Sequence, residues 1–101
     1  MINVIASIKV KFGRKTEFLG IFKSNVPFVK KEKGCIDYCP MIDIDTKIPV
    51  QKLDGDVVTI MEKWENVEAL KIHLTAPHMI TYKEKVKDII EKVSLKILSE
   101  A

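Results

Sequence analysis

Apolar and polar residues alternate from the start of the chain. The alternate apolar positions are Ile2, Val4, Ala6, Ile8 and Val10. A period of two predicts a β-strand with one buried face. The intervening positions, which mix polar and apolar side chains, are Asn3, Ile5, Ser7 and Lys9. A mixed face of this kind is typical of a strand that lines a semi-polar cavity.

Beyond a break at Phe12-Gly13, the apolar residues change to helical spacing. They are Phe18, Ile21, Phe22, Val26 and Val29. This spacing predicts a helix from about Arg14 to Lys31. Pro27 lies inside that range and is expected to kink the helix or to end its first segment early. Gly34 follows a lysine-rich last turn, which is typical of a helix C-terminus.

Two further strands follow, separated by a polar loop. The range Cys35 to Ile44 predicts a second strand, and Pro40 within it indicates an edge strand or a bulge. The range Asp45 to Asp54 is polar and predicts a loop. The range Val57 to Trp64 predicts a third strand, which forms a long-looped hairpin with the second.

The C-terminal part predicts two helices and a last strand. Asn66 is a suitable N-cap for a short helix over Val67 to Leu74, and Pro77 suits the first turn of the next helix. An apolar seam predicts that this helix runs to about Lys92. The seam consists of Met79, Tyr82, Val86, Ile89 and Val93. Alternation over Ser94 to Leu98 favours a short strand over a continued helix.

The order β-α-β-β-α-α-β predicts a single α+β domain over residues 1–101. Such an order favours a ferredoxin-like antiparallel sheet with helices on one face. The other face is then uncovered, and it carries Ile5, either Met61 or Ile60, and either Tyr38 or Met41. An exposed apolar sheet face predicts a homodimer in which two sheets enclose a barrel-like interior.

Composition and charge exclude several classes of protein. The chain is 47% hydrophobic and 31% charged, which fits neither a disordered nor a membrane-spanning protein. The net charge of +3 comes from lysines scattered among acidic residues, so no nucleic-acid partner is expected. No apolar run approaches the roughly 18–20 residues of a membrane span and no signal peptide is evident, so we expect a cytoplasmic protein without a membrane partner.

The two cysteines are predicted to be reduced. Cys35 and Cys39 lie four positions apart in one predicted strand, which separates them by about 13 Å. A disulfide requires Cα atoms about 4.4–6.8 Å apart. Two cysteines are also too few for a zinc site without other ligands, so no metal is expected.

Four short motifs occur in order over most of the chain. They are E-x-G-C-x-x-Y from Glu32 to Tyr38, E-x-W from Glu62 to Trp64, A-L-x-x-H from Ala69 to His73, and T-x-P-H from Thr75 to His78. In this order and spacing, the chain resembles the antibiotic-biosynthesis monooxygenase family.

The resemblance implies a dimeric α+β barrel that oxidises a small aromatic substrate, a quinol or polyphenol, with O₂. It also implies that no metal, flavin or other cofactor takes part, because the deprotonated substrate supplies the electrons. The same fold hosts other functions. The alternatives are an isomerase of a small keto compound and a non-catalytic, stress-related dimer that binds a small ligand. Haem-degrading members carry an asparagine near Ala6 and Ser7 and a histidine near Tyr82 to Lys85, and both are absent here.

Three residues are candidates for proton transfer. His73 shares a helix face with Leu70 and Leu74, so it is either a base in the pocket or a hydrogen-bonded structural histidine. His78 lies in a helix's first turn, where the positive helix end favours a neutral imidazole. Glu62 lies on an apolar strand face, where a carboxylate requires a partner; a structural salt bridge is the alternative to catalysis.

Four residues are candidates for binding the substrate. Trp64 either stacks on the aromatic ring or belongs to the core, and Tyr38 either contacts substrate or bonds across the sheet. Asn3 and Ser7 lie on the mixed face of the first strand, from which they would reach a cavity. Glu32, by contrast, is assigned to the chemistry of the helix end.

Overall fold

The computed structural model describes residues 1–101 as seven elements in the predicted order. The strands are β1 (Ile2–Val10), β2 (Cys35–Ile42), β3 (Val57–Trp64) and β4 (Ile90–Leu98). The helices are α1 (Lys15–Lys30), α2 (Val67–Leu74) and α3 (Pro77–Val86). None of these helices combines the length and the apolarity needed to cross a bilayer.

The four strands form one antiparallel sheet in the order β2-β3-β1-β4. Ala6 in the central strand β1 lies opposite Ile60 of β3 and Leu95 of β4, so these three side chains share a face. This face packs against the helices, giving the predicted ferredoxin-like α+β fold. Pro40 lies in β2, which is an edge strand as predicted.

The core lies between this face and the helices. The predicted alternation in β1 is confirmed, because Val4, Ala6, Ile8 and Val10 are all buried. Aromatic rings fill the space above them. The Phe22 ring stacks on Tyr38 with centroids 5.3 Å apart and meets the edge of Tyr82 at 5.7 Å. The buried apolar and aromatic helix residues other than His73 are Phe18, Phe22, Val29, Leu70, Met79, Tyr82 and Val86.

Helix α1 agrees with its predicted range and continues past Pro27 to Lys30, so the proline does not end it early. Two other predicted boundaries are wrong. Strand β2 ends at Ile42 instead of Ile44. Helix α3 ends at Val86 instead of about residue 92, because a turn closes there and β4 begins at Ile90. In this turn the Ile89 N–H donates to the Val86 carbonyl at 2.9 Å.

Two apolar surfaces remain uncovered. The strand register places Met61 and Met41, not Ile60 and Tyr38, on the same face as Ile5, away from the helices, with Met61 directly opposite Ile5. The second surface was not predicted and lies on the helix side of β4. Its residues, Val93, Leu95 and Ile97, are each about half exposed, at 51%, 48% and 51%. Both cysteines are free, as predicted.

Candidate functional site

A cavity of about 210 Å³ lies between the sheet and the helices. Apolar side chains of β1, β3, β4, α1 and α3 form most of its wall. The half-exposed residues Val93 and Leu95 of β4 belong to this wall, so the cavity reaches the surface on that side. Its titratable residues are Tyr38, Glu62, His73, Tyr82 and Lys83.

Glu62 is held by its neighbour on the same strand face. Because side chains alternate along a strand, Glu62 and Trp64 both lie on the helix side of β3. The Trp64 Nε1–H donates to Glu62 Oε1 at 3.0 Å. Glu62 is only 8% exposed, and burial raises the pKa of its carboxyl to about 7, despite the opposing Trp64 hydrogen bond; the nearby Glu32 charge raises it further. Near neutral pH this carboxyl is therefore able either to accept or to donate a proton.

His73 is oriented by Glu32. It lies in the last turn of α2 and is 2% exposed. Its Nδ1 lies 2.8 Å from Glu32 Oε2. Burial lowers the pKa of His73, although the hydrogen bond with Glu32 acts in the opposite direction. A lowered pKa favours the neutral ring at neutral pH, and that form carries one proton. A bond to a carboxylate oxygen requires that proton on Nδ1, which leaves Nε2 as an acceptor.

Four polar atoms around the cavity have no partner within the chain. They are Nε2 of His73, Oε2 of Glu62 and the hydroxyl groups of Tyr38 and Tyr82, since the side-chain hydrogen bonds of these residues use only Nδ1 and Oε1. Every fully enclosed side-chain nitrogen or oxygen in the chain does have a partner. These four atoms therefore contact space that water can reach, and all four residues line the cavity. The arrangement suits a ligand with an apolar ring and polar substituents.

His78 lies outside this cavity. Its Nε2 shares Glu32 Oε2 with His73, at 2.9 Å, and its ring stacks on Phe28 with centroids 6.1 Å apart. The His78 side chain is 25% exposed and lines a separate surface groove with Phe28. Glu32, His73 and His78 form the chain's one group of three residues whose donor atoms lie close enough to share a metal ion.

The other predicted binding residues are not brought into the cavity. Asn3 and Ser7 pair with Lys63 and Thr59 of β3. Because side chains alternate along a strand, they lie on the opposite face of β1 from Val4 and Ala6. There they line other surface grooves.

Trp64 is completely buried and is absent from the cavity wall. Its ring lies against His73 with centroids 4.7 Å apart. The structure therefore favours the second of the two alternatives predicted for Trp64, a core position, from which it contacts Glu62 and His73.

Sequence analysis missed two members of the site. Glu32 follows a helix end, which predicts only helix-end chemistry, although it shares a motif with the cavity residue Tyr38. Tyr82 was counted only as part of an apolar seam. The available signal was the Tyr82 phenol within an otherwise aliphatic seam. A buried hydroxyl group normally finds a partner, so its presence there indicates a polar neighbour or ligand.

Comparisons with known proteins agree with this fold. A family model described as antibiotic biosynthesis monooxygenase matches residues 1–85. The Escherichia coli K12 protein named "Probable quinol monooxygenase YgiN" is 36% identical over 100 residues, which cover 97% of this chain and 96% of that protein.

Solved structures show the same fold at lower identity. PA3566 from Pseudomonas aeruginosa has a TM-score of 0.82 at 19% identity, covering 99% of this chain and 93% of that one. A conserved protein from Methanosarcina mazei Go1 has a TM-score of 0.84 at 23% identity, covering 99% and 92% of the two chains.

Proposed function

Because the chain belongs to the antibiotic biosynthesis monooxygenase family, we propose that it oxidises a small quinol or polyphenol with O₂ in the cavity between helices and sheet. The observation that carries this proposal is the set of four unpartnered polar atoms in an otherwise largely apolar wall. The reaction proposed needs no metal, flavin or other cofactor, since the substrate supplies the electrons.

The size and lining of the cavity support a compact aromatic substrate. A protein cavity of about 150 Å³ holds benzene, so a cavity of about 210 Å³ accommodates a substituted ring. The apolar wall contacts the ring faces, while the polar atoms meet the hydroxyl groups. The half-exposed strand residues Val93 and Leu95 mark the side from which the substrate enters.

His73 is the proposed base. Its Nε2 accepts a proton from a substrate hydroxyl, and Glu32 then stabilises the imidazolium through the bond at Nδ1. The resulting quinolate transfers an electron to O₂, and the two radicals recombine. One oxygen atom of O₂ enters the product as a hydroxyl group and the other leaves as water, so that a quinol and O₂ give a hydroxyquinone and water.

The remaining cavity groups stabilise charge and return protons. Burial raises the pKa of both Tyr38 and Tyr82, and the Glu62 charge raises them further. Both phenols therefore stay protonated and donate hydrogen bonds to the quinolate oxygen. Glu62, with a pKa of about 7, supplies a proton for the release of water.

We also propose that the protein acts as a homodimer. The apolar residues on the outer sheet face, Ile5, Met41 and Met61, support this. Sedimentation equilibrium in dilute solution tests the proposal. A folded monomer at micromolar concentration would contradict it.

The activity is tested by oxygen uptake with menadiol in chelator-treated buffer, after subtraction of the rate without protein. His73→Asn is the decisive variant. Asparagine retains an amide N–H for Glu32 but removes the nitrogen that faces the cavity. We expect its rate to fall by about 10²–10⁴-fold. No rate above background for the wild type, over a panel of quinols, would overturn the proposal.

A second comparison separates the two faces of the sheet. Ser7→Ala alters the face opposite the cavity, so a loss as large as that of His73→Asn would place the substrate there instead. Turnover of a small keto compound without O₂ would favour the isomerase. A menadiol-induced thermal shift without product would favour simple ligand binding.

A further inference from the structure

Three residues from separate elements meet behind the cavity. Glu32 lies in the turn between α1 and β2, His73 in the last turn of α2, and His78 in the first turn of α3. Only Thr75 and Ala76 separate the two helices, and the Ala76 N–H donates to the His73 carbonyl at 3.2 Å. This tight connection directs both imidazoles to Glu32 Oε2, at 2.8 and 2.9 Å.

We propose that Glu32, His73 and His78 form a binding site for one divalent transition-metal ion of the zinc type, and that the bound ion switches off the cavity. Two imidazole nitrogens and one carboxylate oxygen are a common three-ligand set for such ions, with water in the fourth position. The second half of the proposal, inhibition, rests on the proposed function. The first half, binding, does not.

The two nitrogen–oxygen pairs require only small movements to accept a metal ion. The three donor atoms lie within 4.8 Å of one another, and each nitrogen now makes a hydrogen bond to the same oxygen. Ligand atoms about 2.0–2.1 Å from a tetrahedral zinc ion are about 3.3 Å apart. Each nitrogen–oxygen pair therefore separates by roughly half an ångström. Rotation of the partly exposed His78 can supply one of these movements, and rotation of the Glu32 carboxylate, which belongs to both pairs, can supply the other.

An entry path and a favourable charge are present. An open groove beside the cluster is lined by Glu32 together with Glu65 and Glu68. Lys33 also lines it, so the acidic groups there outnumber the basic ones. A cation is thus attracted toward the cluster, and the groove leaves room for the water that completes the coordination.

Metal binding changes what His73 offers the cavity. In the free protein the ring proton lies on Nδ1, and Nε2 is an acceptor. A metal ion binds Nδ1 through the lone pair of that nitrogen, so Nδ1 must give up its proton. The single proton of the neutral ring then lies on Nε2. No net proton is gained or lost. The cavity then contains a donor where the proposed reaction requires a base.

Cobalt is the appropriate probe because its absorption bands report the ligands. The full chain, treated with chelator and reduced, is titrated with Co²⁺ alone and then with Zn²⁺ as competitor. We expect visible d–d bands that saturate at one Co²⁺ per chain and that Zn²⁺ abolishes. His78→Ala and Glu32→Gln should each lose the bands, while Glu68→Gln, from the same groove, should retain them. Far-UV circular dichroism checks that each variant is folded.

The two halves of the proposal fail separately. Absence of saturable Co²⁺ bands, or equal bands in wild type and His78→Ala, overturns the site whatever the activity. If the site binds, Zn²⁺ should reduce wild-type menadiol oxidation toward the rate of His73→Asn. If saturating Zn²⁺ does not lower the rate of menadiol oxidation, the proposed inhibition is overturned, whereas the proposed binding site is not. A wild type inactive without metal overturns the proposed function, while the Co²⁺ titration still decides the site.

Discussion

Replacing Glu62 by glutamine should make the protein's stability less dependent on pH. Burial raises the pKa of this carboxyl from its ordinary 4.5 to about 7. The folded chain therefore holds the proton more tightly than the unfolded chain does. The stabilisation from this proton is fully present below about pH 4.5 and is lost as the pH rises toward 7 and above.

The size of the effect follows from the two pKa values. A rise from 4.5 to about 7 corresponds to about 3 kcal/mol of unfolding free energy, most of which is lost by pH 7. Glutamine cannot ionise, yet its amide oxygen still accepts the Trp64 N–H. We therefore expect Glu62→Gln to gain about 3 kcal/mol relative to wild type between pH 4.5 and 8.

Urea unfolding at fixed protein concentration over this pH range measures the difference. The other titrating groups are common to both proteins, so their contributions largely cancel in the comparison. Glu100→Gln is the matched control, because it removes an exposed carboxylate at the chain end and should remain within about 0.5 kcal/mol of wild type. Parallel stability curves for wild type and Glu62→Gln would refute the reasoning, since Glu62 would then titrate as an exposed acid.

Two further predictions concern the supports of the site. Trp64→Phe removes the N–H that stabilises the Glu62 carboxylate, so the pKa of Glu62 should rise above about 7. To measure this pKa, the stability of Trp64→Phe is subtracted from that of the double variant Trp64→Phe/Glu62→Gln at each pH. The midpoint of this difference should lie at higher pH than the midpoint of the difference between wild type and Glu62→Gln. An unchanged midpoint would contradict the prediction. Gly34→Ala should cost on the order of 1–3 kcal/mol, because Gly34 has φ +88° and a Cβ there would lie 2.6 Å from that of Ala69. Gly20→Ala, inside α1 with open space around it, should instead gain about 0.5–1 kcal/mol in the same urea experiment; equal effects of the two substitutions would show that strain at Gly34 is absent.

Local patterns account for what the sequence predicts well. The alternation of β1, the strand over Val57–Trp64 and the Asn66 cap of α2 are confirmed, with the cap oxygen accepting the Ala69 N–H at 2.9 Å. These features depend on neighbours a few positions apart. The end of α3 was missed because Val93 fits a helical seam and also fits the alternation of β4, and only the turn at Val86 decides between them.

The site required information that no local pattern contains. Glu32 lies 41 positions from His73, and nothing in its own segment indicates that partner. Asn3 and Ser7 were chosen because a mixed strand face suits a cavity, whereas the cavity lies on the apolar face and takes its polarity from Glu62 and His73. Of the predicted proton-transfer residues, Glu62 and His73 line the cavity, whereas the contact of His73 with Glu32 depends on tertiary packing.

The central claim is that Glu32 fixes the proton of His73 on Nδ1 and leaves Nε2 free toward the cavity. Long-range ¹H–¹⁵N correlation spectroscopy of the histidine rings, assigned with His78→Gln, reads this directly at pH 7.5. We expect a protonated Nδ1 and an unprotonated Nε2 in His73, and in Glu32→Ala we expect this preference to be lost or the two forms to be mixed. A His73 ring protonated on Nε2 in the metal-free wild type would contradict it.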